Sequence, residues 1–388
     1  MRFLVIGGAG NVGEAIIKHL LRDPDVEEVI CGDVDMSRAE RLVATLKDDR
    51  LRCEYVNALD FLSVMYAMAD VDVVFAALPP IPQMFRNIVD AAIDTGSHYI
   101  DFGSAMCVLY HHLAMSDVVK DAGITLLTCM GEDPGLSDVC SRYASDKLDK
   151  VEMIKIRDGA MAAGKAVLAT YAPTVFLGEA LNAGFVYEHG RIKRVKPLSG
   201  KEIYEFPDPV GPLPTYYVPH EEPVTIPRGL KKEVGVVDFK LTVPDEVIAV
   251  LDTLKAFGLL SRRPIRVKGV EISPLDFLMK LVAAPAELAG VVKGHECLVI
   301  EVIGEKGGKK LMYKFTIYMT HEEAYEKYGV TSTAFLTGTT GAIAALALAK
   351  GEIKERGTVV PAQLPPEMIL ERAKKAGIPI KEEVIELE

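Results

Sequence analysis

Three acids and one histidine stand where a chain could bring them to a reacting centre. Asp101 ends the run GSHYID, Glu132 and Asp133 lie in GEDPG directly after an apolar run, and His220 sits beside Glu221 and Glu222 in a proline-rich stretch. A carboxylate can hold an ammonium group and take its proton when burial or a like-charged neighbour raises its pKa. Imidazole titrates near neutrality without help. Such a set suits proton transfer to or from an amine, and Asp133, Asp101 and His220, in that order, are the candidate catalytic groups. Each has a bland alternative: Asp133 as a turn acid before Pro134, His98 of the same GSHYID run as a core histidine, the proline-rich stretch as an exposed loop or a dimer arm. Oxidising an amine by hydride transfer also needs an acceptor, and the chain start supplies a place for one.

The apolar run 3–6 leads at once into Gly7-Gly8-Ala9-Gly10-Asn11-Val12-Gly13 and then a helical pattern over 14–21. The spacing of Gly8, Gly10 and Gly13 is a dinucleotide fingerprint: a tight turn, a backbone that a pyrophosphate can approach, and a close helix–strand contact. A second apolar run ends at Asp33, twenty residues after Gly13, where a carboxylate can accept the adenosine ribose hydroxyls. Asp33 disfavours a 2′-phosphate, so the expected cofactor is NAD over NADP. Arg38 tempers this, since a basic side chain after the second strand can cradle that phosphate; its alternative is a solvated surface charge.

Strands alternating with helices continue to about residue 129, which predicts a Rossmann-type, doubly wound parallel sheet. Ligands in such sheets lie beyond the carboxyl ends of the strands. Residues 58–60 after the third strand, with Asp60, are thus expected near the adenine, and Leu78-Pro79-Pro80 after the fourth near the nicotinamide. Gly8, Gly10, Asn11, Val12, Gly13, Asp33, Asp60, Leu78 and Pro79 form the expected cofactor site. From Val151 the strands become more polar and the connections longer, which indicates a second, α+β domain with a mixed or antiparallel sheet. Eight prolines between Pro197 and Pro227 predict an extended, semi-rigid excursion over the active site. Within it or beside it, Tyr217 and Arg228 join Glu132 as candidate substrate contacts, with Arg262 and Arg263 as further guanidinium candidates for a substrate carboxylate. The strands flanking Lys306-Gly307-Gly308 read as a hairpin. The Ala-, Gly- and Thr-rich run from about Ser332 reads as a helix returning to the nucleotide domain, followed by a short amphipathic helix. The division expected is 1–130 for the nucleotide, 131–332 for substrate and dimerisation, and 333–388 for the return.

The 388 residues are 49% hydrophobic and carry a formal charge of -11. That excludes a disordered chain and disfavours nucleic acid as a partner. A cationic amine would be drawn toward such a protein, whereas an anionic group would need a local arginine. The most apolar run, 334–349, is short of a bilayer span and broken by Thr and Gly, so it is expected to be buried and no membrane is expected. Six scattered cysteines without CxxC spacing suit reduced thiols in a cytoplasmic protein, and no metal site is expected.

The fingerprint with Asp33 and Asp35, the turn Ala77-Leu78-Pro79-Pro80, the run ending His98-Tyr99-Ile100-Asp101 and the block Gly131 to Gly135 together resemble the saccharopine dehydrogenase-like family, most nearly its lysine 6-dehydrogenases. The resemblance is specific over the first 145 residues and looser beyond. It implies pyridine-nucleotide oxidoreduction at a carbon bearing nitrogen, a small amino-acid substrate and a homodimer formed through the second domain. Where the lysine enzymes would show a more glycine-rich strand end, this chain reads Arg157-Asp158-Gly159-Ala160. The leading expectation is NAD-dependent oxidation of the lysine side-chain amine or of a lysine adduct such as saccharopine. The alternatives are a reductive, amine-forming enzyme of lysine or polyamine synthesis, and a non-catalytic NAD-binding regulatory protein.

Overall fold

The computed structural model describes every residue except Ser104. Its first sheet has seven parallel strands, in the order Gly357–Val359, Thr125–Leu127, His98–Asp101, Val73–Ala76, Arg2–Ile6, Glu28–Asp33 and Leu51–Tyr55. Val73–Ala76 is buried along its whole length, as a parallel strand covered on both faces must be. The strand order reverses between Arg2–Ile6 and Val73–Ala76, and a crevice opens at such a switch point. The glycine turn and Leu78-Pro79-Pro80 both follow strands at that point.

The second sheet is mixed and has ten strands. Lys150–Asp158 lies at its centre, parallel to Val234–Thr242 and antiparallel to Lys293–Lys306. The hairpin expected around Gly307-Gly308 pairs Lys293–Lys306 with Lys309–Thr320. The proline-rich stretch departs from its expected extended form. It makes a hairpin, Ser199–Phe206 with Gly211–Tyr217, and then a short helix, Glu222–Gly229. Pro223 is tolerated there because first-turn N–H groups have no partner within the helix, and Pro227 falls where the eight-residue helix is already ending.

The return to the first domain is made by the helix Ser332–Ala349, packed along the fingerprint helix Asn11–Leu20. Gly338 permits this approach, since a Cβ there would stand 2.8 Å from the Ala15 Cβ and 2.9 Å from the Val12 carbonyl oxygen. The Asn11 side-chain amide donates to the Thr331 hydroxyl (2.8 Å), which caps the returning helix. That helix is long and apolar enough to cross a bilayer, yet nearly all of it is buried within the protein. The tail serves both sheets: Gly357–Val359 extends the first, whereas Ile380–Leu387, expected to return with it, adds an edge strand to the second beside Lys309–Thr320.

Candidate active site at the domain junction

A cavity of about 770 Å³ lies between the carboxyl ends of the first sheet and the second domain. On the nucleotide side it is lined by Gly10, Asn11, Val12, Gly13 and the turn Leu78-Pro79-Pro80. The helix Asn11–Leu20 has no side-chain cap, so its first N–H groups are free to receive an anion. A Cβ at Gly13 would meet the Gly7 carbonyl oxygen at 2.3 Å and the Gly8 Cα at 2.7 Å, whereas one at Gly10 would meet only the Gly7 oxygen, at 3.1 Å. Gly13 thus holds the helix against the turn, and Gly10 leaves room above it. These residues fit a dinucleotide. Asp33 ends its strand beside them, its oxygens accepting from the Ala9 N–H (3.1 Å) and the Asp35 N–H (2.9 Å). Arg38 does not point away into solvent: it lines the cavity.

Four expected site residues lie elsewhere. Asp60 is exposed and caps the helix Phe61–Ala67, accepting from the Leu62 N–H (3.1 Å), so it does not line the cofactor side of the cavity. Asp101 is fully buried behind the cavity wall. It accepts from the Tyr99 hydroxyl (2.9 Å), the Gly103 N–H (2.9 Å), the Thr128 hydroxyl (2.8 Å) and the Cys129 N–H (3.0 Å), and His112 Nδ1 stands 3.1 Å away. Burial alone would raise its pKa, but His112 and the backbone donors outweigh that and hold it below the ordinary value. Every lone pair it could offer to chemistry is engaged. Tyr217 donates toward Asp238 (3.4 Å) and lies under the Lys240 ammonium, away from the cavity. Arg228 is exposed in the last turn of its helix, and Arg262 and Arg263 are exposed as well. The arginine of the second domain that does line the cavity is Arg194, on the exposed strand Arg191–Val195. A basic residue in an exposed edge strand carries no sequence signal that distinguishes it from its neighbours Arg191 and Lys193.

Glu132, Asp133 and His220 do line the cavity. They are joined there by Asp158, Glu179, Glu221 and Glu296, so six carboxyl groups face one space. Asp158 ends the central strand of the second sheet, Glu296 lies on the neighbouring strand, and Glu179 comes from the helix Pro173–Leu181. Sequence reasoning missed these three. The available signal was an acid in an otherwise apolar helix and at a buried strand end, next to the 157–160 departure.

The wall is electrostatically crowded. Burial, followed by Glu296 and Asp158, pushes the Glu132 carboxyl well above its usual value, and burial with Asp158 and Glu132 does the same to Asp133. Burial raises Asp158 and Glu221 to about 7 and, with Asp158 adding to it, Glu296 to about 8. His220 is the exception in kind. Burial works to lower its pKa, but Glu222, Glu221 and Glu179 outweigh it and lift it to about 9. Its Nδ1 pairs with the Glu222 carboxylate, and its ring stacks on Phe239 with centroids 3.7 Å apart and planes 5° apart.

All four of these pKa values are raised, so each group contributes stability that is complete below its unfolded value, near 4 for the carboxyls and 6.5 for the imidazole. That contribution is gone once the pH passes about 7 for Asp158 and Glu221, about 8 for Glu296 and about 9 for His220. The expected result is a melting temperature lower at pH 8.5 than at pH 6.5, by about 5 °C or more in a calorimetric scan of the ligand-free protein. A Tm that holds or rises over that interval would contradict the crowded wall.

Comparison with known proteins identifies the family of the chain. Residues 3–127 match the saccharopine dehydrogenase NADP binding domain and residues 131–378 the saccharopine dehydrogenase C-terminal domain. The chain belongs to the saccharopine dehydrogenase family. It is an oxidoreductase of that family and uses a nicotinamide cofactor. Two curated relatives align over nearly their whole lengths. One is the carboxyaminopropylagmatine dehydrogenase of Synechocystis sp., 23% identical, with 99% of this chain and 98% of the relative covered. The other is the carboxynorspermidine synthase of Vibrio cholerae, 26% identical, with 96% and 94% covered. The solved saccharopine dehydrogenase (L-Glu forming) of Saccharomyces cerevisiae, 17% identical, superposes with a TM-score of 0.76 over 99% of each chain, which shows a shared two-domain fold.

Proposed function

We propose that the protein forms the C–N bond of a carboxylated polyamine by NADP(H)-linked reduction, with the oxidative reaction as its reverse. The observation that carries this reading is the wall of six carboxyl groups facing the fingerprint helix across one cavity. Among the described residues only Arg38 and Arg194 line it as permanent cations. A substrate with more than one amine and a single carboxylate matches that balance. The names of the two curated relatives point the same way, toward the amine-forming alternative and away from lysine as the particular substrate.

In the forming direction an alkylammonium must first lose a proton to become a nucleophile. Asp133, partly open to the cavity and with its pKa raised, accepts that proton. The neutral amine adds to an aldehyde carbon, the C=O π pair passes to oxygen, and a proton moves from nitrogen to that oxygen to give a carbinolamine. The hydroxyl then leaves as water with a proton from His220, which is charged at neutral pH, and the nitrogen lone pair closes the C=N⁺ bond. A bound nicotinamide supplies the hydride that completes the secondary amine. Arg194 pairs with the substrate carboxylate. Leu78, Pro79 and Pro80 give the nicotinamide side an apolar floor that keeps water from the reacting carbon.

Arg38 supports NADP(H) on this reading, because a guanidinium at the cavity beside the fingerprint can hold a 2′-phosphate in paired hydrogen bonds. Arg38→Ala is expected to weaken NADPH binding about 10- to 100-fold and NADH binding far less, measured by fluorescence titration. Equal effects on both would assign the phosphate to another group.

The reaction is tested by following reduced-cofactor consumption with a diamine and an α-amino acid bearing a side-chain aldehyde. The reverse reaction is tried with carboxylated polyamines, and lysine and saccharopine are each offered with both oxidised cofactors. Turnover with lysine alone would overturn the polyamine reading.

A further inference from the structure

The acidic wall divides into two parts that differ in charge balance. Glu179 and Glu221 lie near His220, which the buried Glu222 pairs with outside the cavity lining and which supplies them a cation. Glu132, Asp133, Asp158 and Glu296 have no ammonium, guanidinium or imidazole within ion-pairing distance among the described residues, and only Asp158 feels the more distant charge of His220. Their partners are neutral. Asp158 accepts from the Ala160 N–H (2.8 Å), and Glu296 from the hydroxyls of Thr170 and Thr333.

The packing makes this arrangement costly. Leu298 lies opposite Asp158 in the antiparallel pair, so Glu296, two residues along, is a diagonal neighbour of Asp158 on the same face of the sheet. Like charges so placed repel. A different chain segment then brings Glu132 against them: it is 3% exposed and lines the cavity, and its Oε1 is buried without any hydrogen-bond partner. An orphaned carboxylate oxygen is a deficit of the kind that folded proteins rarely leave.

We infer that Glu132, Asp158 and Glu296, beyond the base Asp133, form a subsite for a second cationic group of the substrate, an alkylammonium or guanidinium remote from the reacting nitrogen. The inference rests on the proposed polyamine chemistry and adds the means of substrate choice. Such a group brings a positive charge that could pair with these carboxyls and several N–H donors, one of them for the unpartnered Glu132 Oε1. A monoamine of the same length leaves Glu132 unpaired and is selected against. A metal ion is the rival occupant for oxygen ligands, although the described residues include no cluster of acids, histidines or cysteines placed to hold one.

The test compares 1,3-diaminopropane with propylamine as the amine partner of the NADPH-loaded enzyme. Glu132→Gln and Glu296→Gln are each expected to lower the diamine-to-monoamine ratio of kcat/KM at least about 10-fold, chiefly through the diamine KM. A ratio that survives either substitution overturns the subsite, even if total activity falls. Direct titration calorimetry of the same holoenzyme at pH 7.5, in two buffers of different ionisation enthalpy, separates this from failure of the reaction itself. The diamine is expected to bind with release of protons from the carboxyls it meets, and to bind more weakly to Glu132→Gln. Absence of diamine binding, or tighter binding of Mg²⁺ or Ca²⁺ than of the diamine, would overturn the subsite. Diamine binding without turnover of any amine would instead overturn the proposed function.

Discussion

Replacement of His220 by Asn is expected to lower kcat about 10²- to 10⁴-fold, the range a positioned proton donor contributes. The ring cannot be replaced by a neighbour, because its place is fixed from two sides. Phe239 stacks beneath it at 3.7 Å, and Glu222 holds Nδ1 while itself accepting from the Ser137 hydroxyl at 3.0 Å. That arrangement leaves the other ring nitrogen to act in the cavity. The carboxylates around it keep the imidazole charged up to about pH 9, so activity in the forming direction is expected to fall along a limb near that value. Glu222→Gln removes the largest of the raising influences and is expected to move the limb downward, toward neutrality. Steady-state pH profiles of the three proteins check this. A profile unmoved by Glu222→Gln would assign the limb to another group.

Asp101→Ala is expected to cost about 3–5 kcal/mol of stability, because it leaves several buried donors without their acceptor at about 1–3 kcal/mol each. At the size of this domain that corresponds to a Tm lower by roughly 10 °C. Four donors and His112 converge on this carboxylate. Through them it ties the end of the strand His98–Asp101 to the residues after the strand Thr125–Leu127, which lead into Glu132 and Asp133. Its loss orphans several buried groups together. The folded fraction should keep much more of its kcat than His220→Asn does. A kcat loss as large as that of His220→Asn with an unchanged Tm would return Asp101 to the catalytic groups.

The contrast between Asp101 and Asp133 shows where sequence reading reached its limit. Both are acids beyond parallel strands, and both were expected at the crevice. A strand end places the backbone but not the side chain, and Asp101 turns back into the helix–sheet layer because Tyr99, Thr128 and His112 offer it partners there. Asp60 fails in a similar way: an acid just before a helix is used by that helix as a cap. The fingerprint, the switch-point turn and the return of the Ser332–Ala349 helix were legible, since glycine spacing and apolar periodicity are local records of close packing. Asp158, Glu179 and Glu296 were not. They come from a strand end, a helix and a second strand that are distant in sequence, and only the second sheet makes them neighbours. The same holds for Arg194, chosen from several exposed basic residues by the shape of the cavity alone.

The most direct test of the central claim follows the hydride. NADPH deuterated at the transferring carbon is supplied with a diamine and an α-amino acid bearing a side-chain aldehyde, and the product is read by mass spectrometry and NMR. A secondary amine carrying one deuterium on the former aldehyde carbon is the predicted result. Recovery of unreacted amine and aldehyde with the cofactor unconsumed, or a product without deuterium at that carbon, would contradict it.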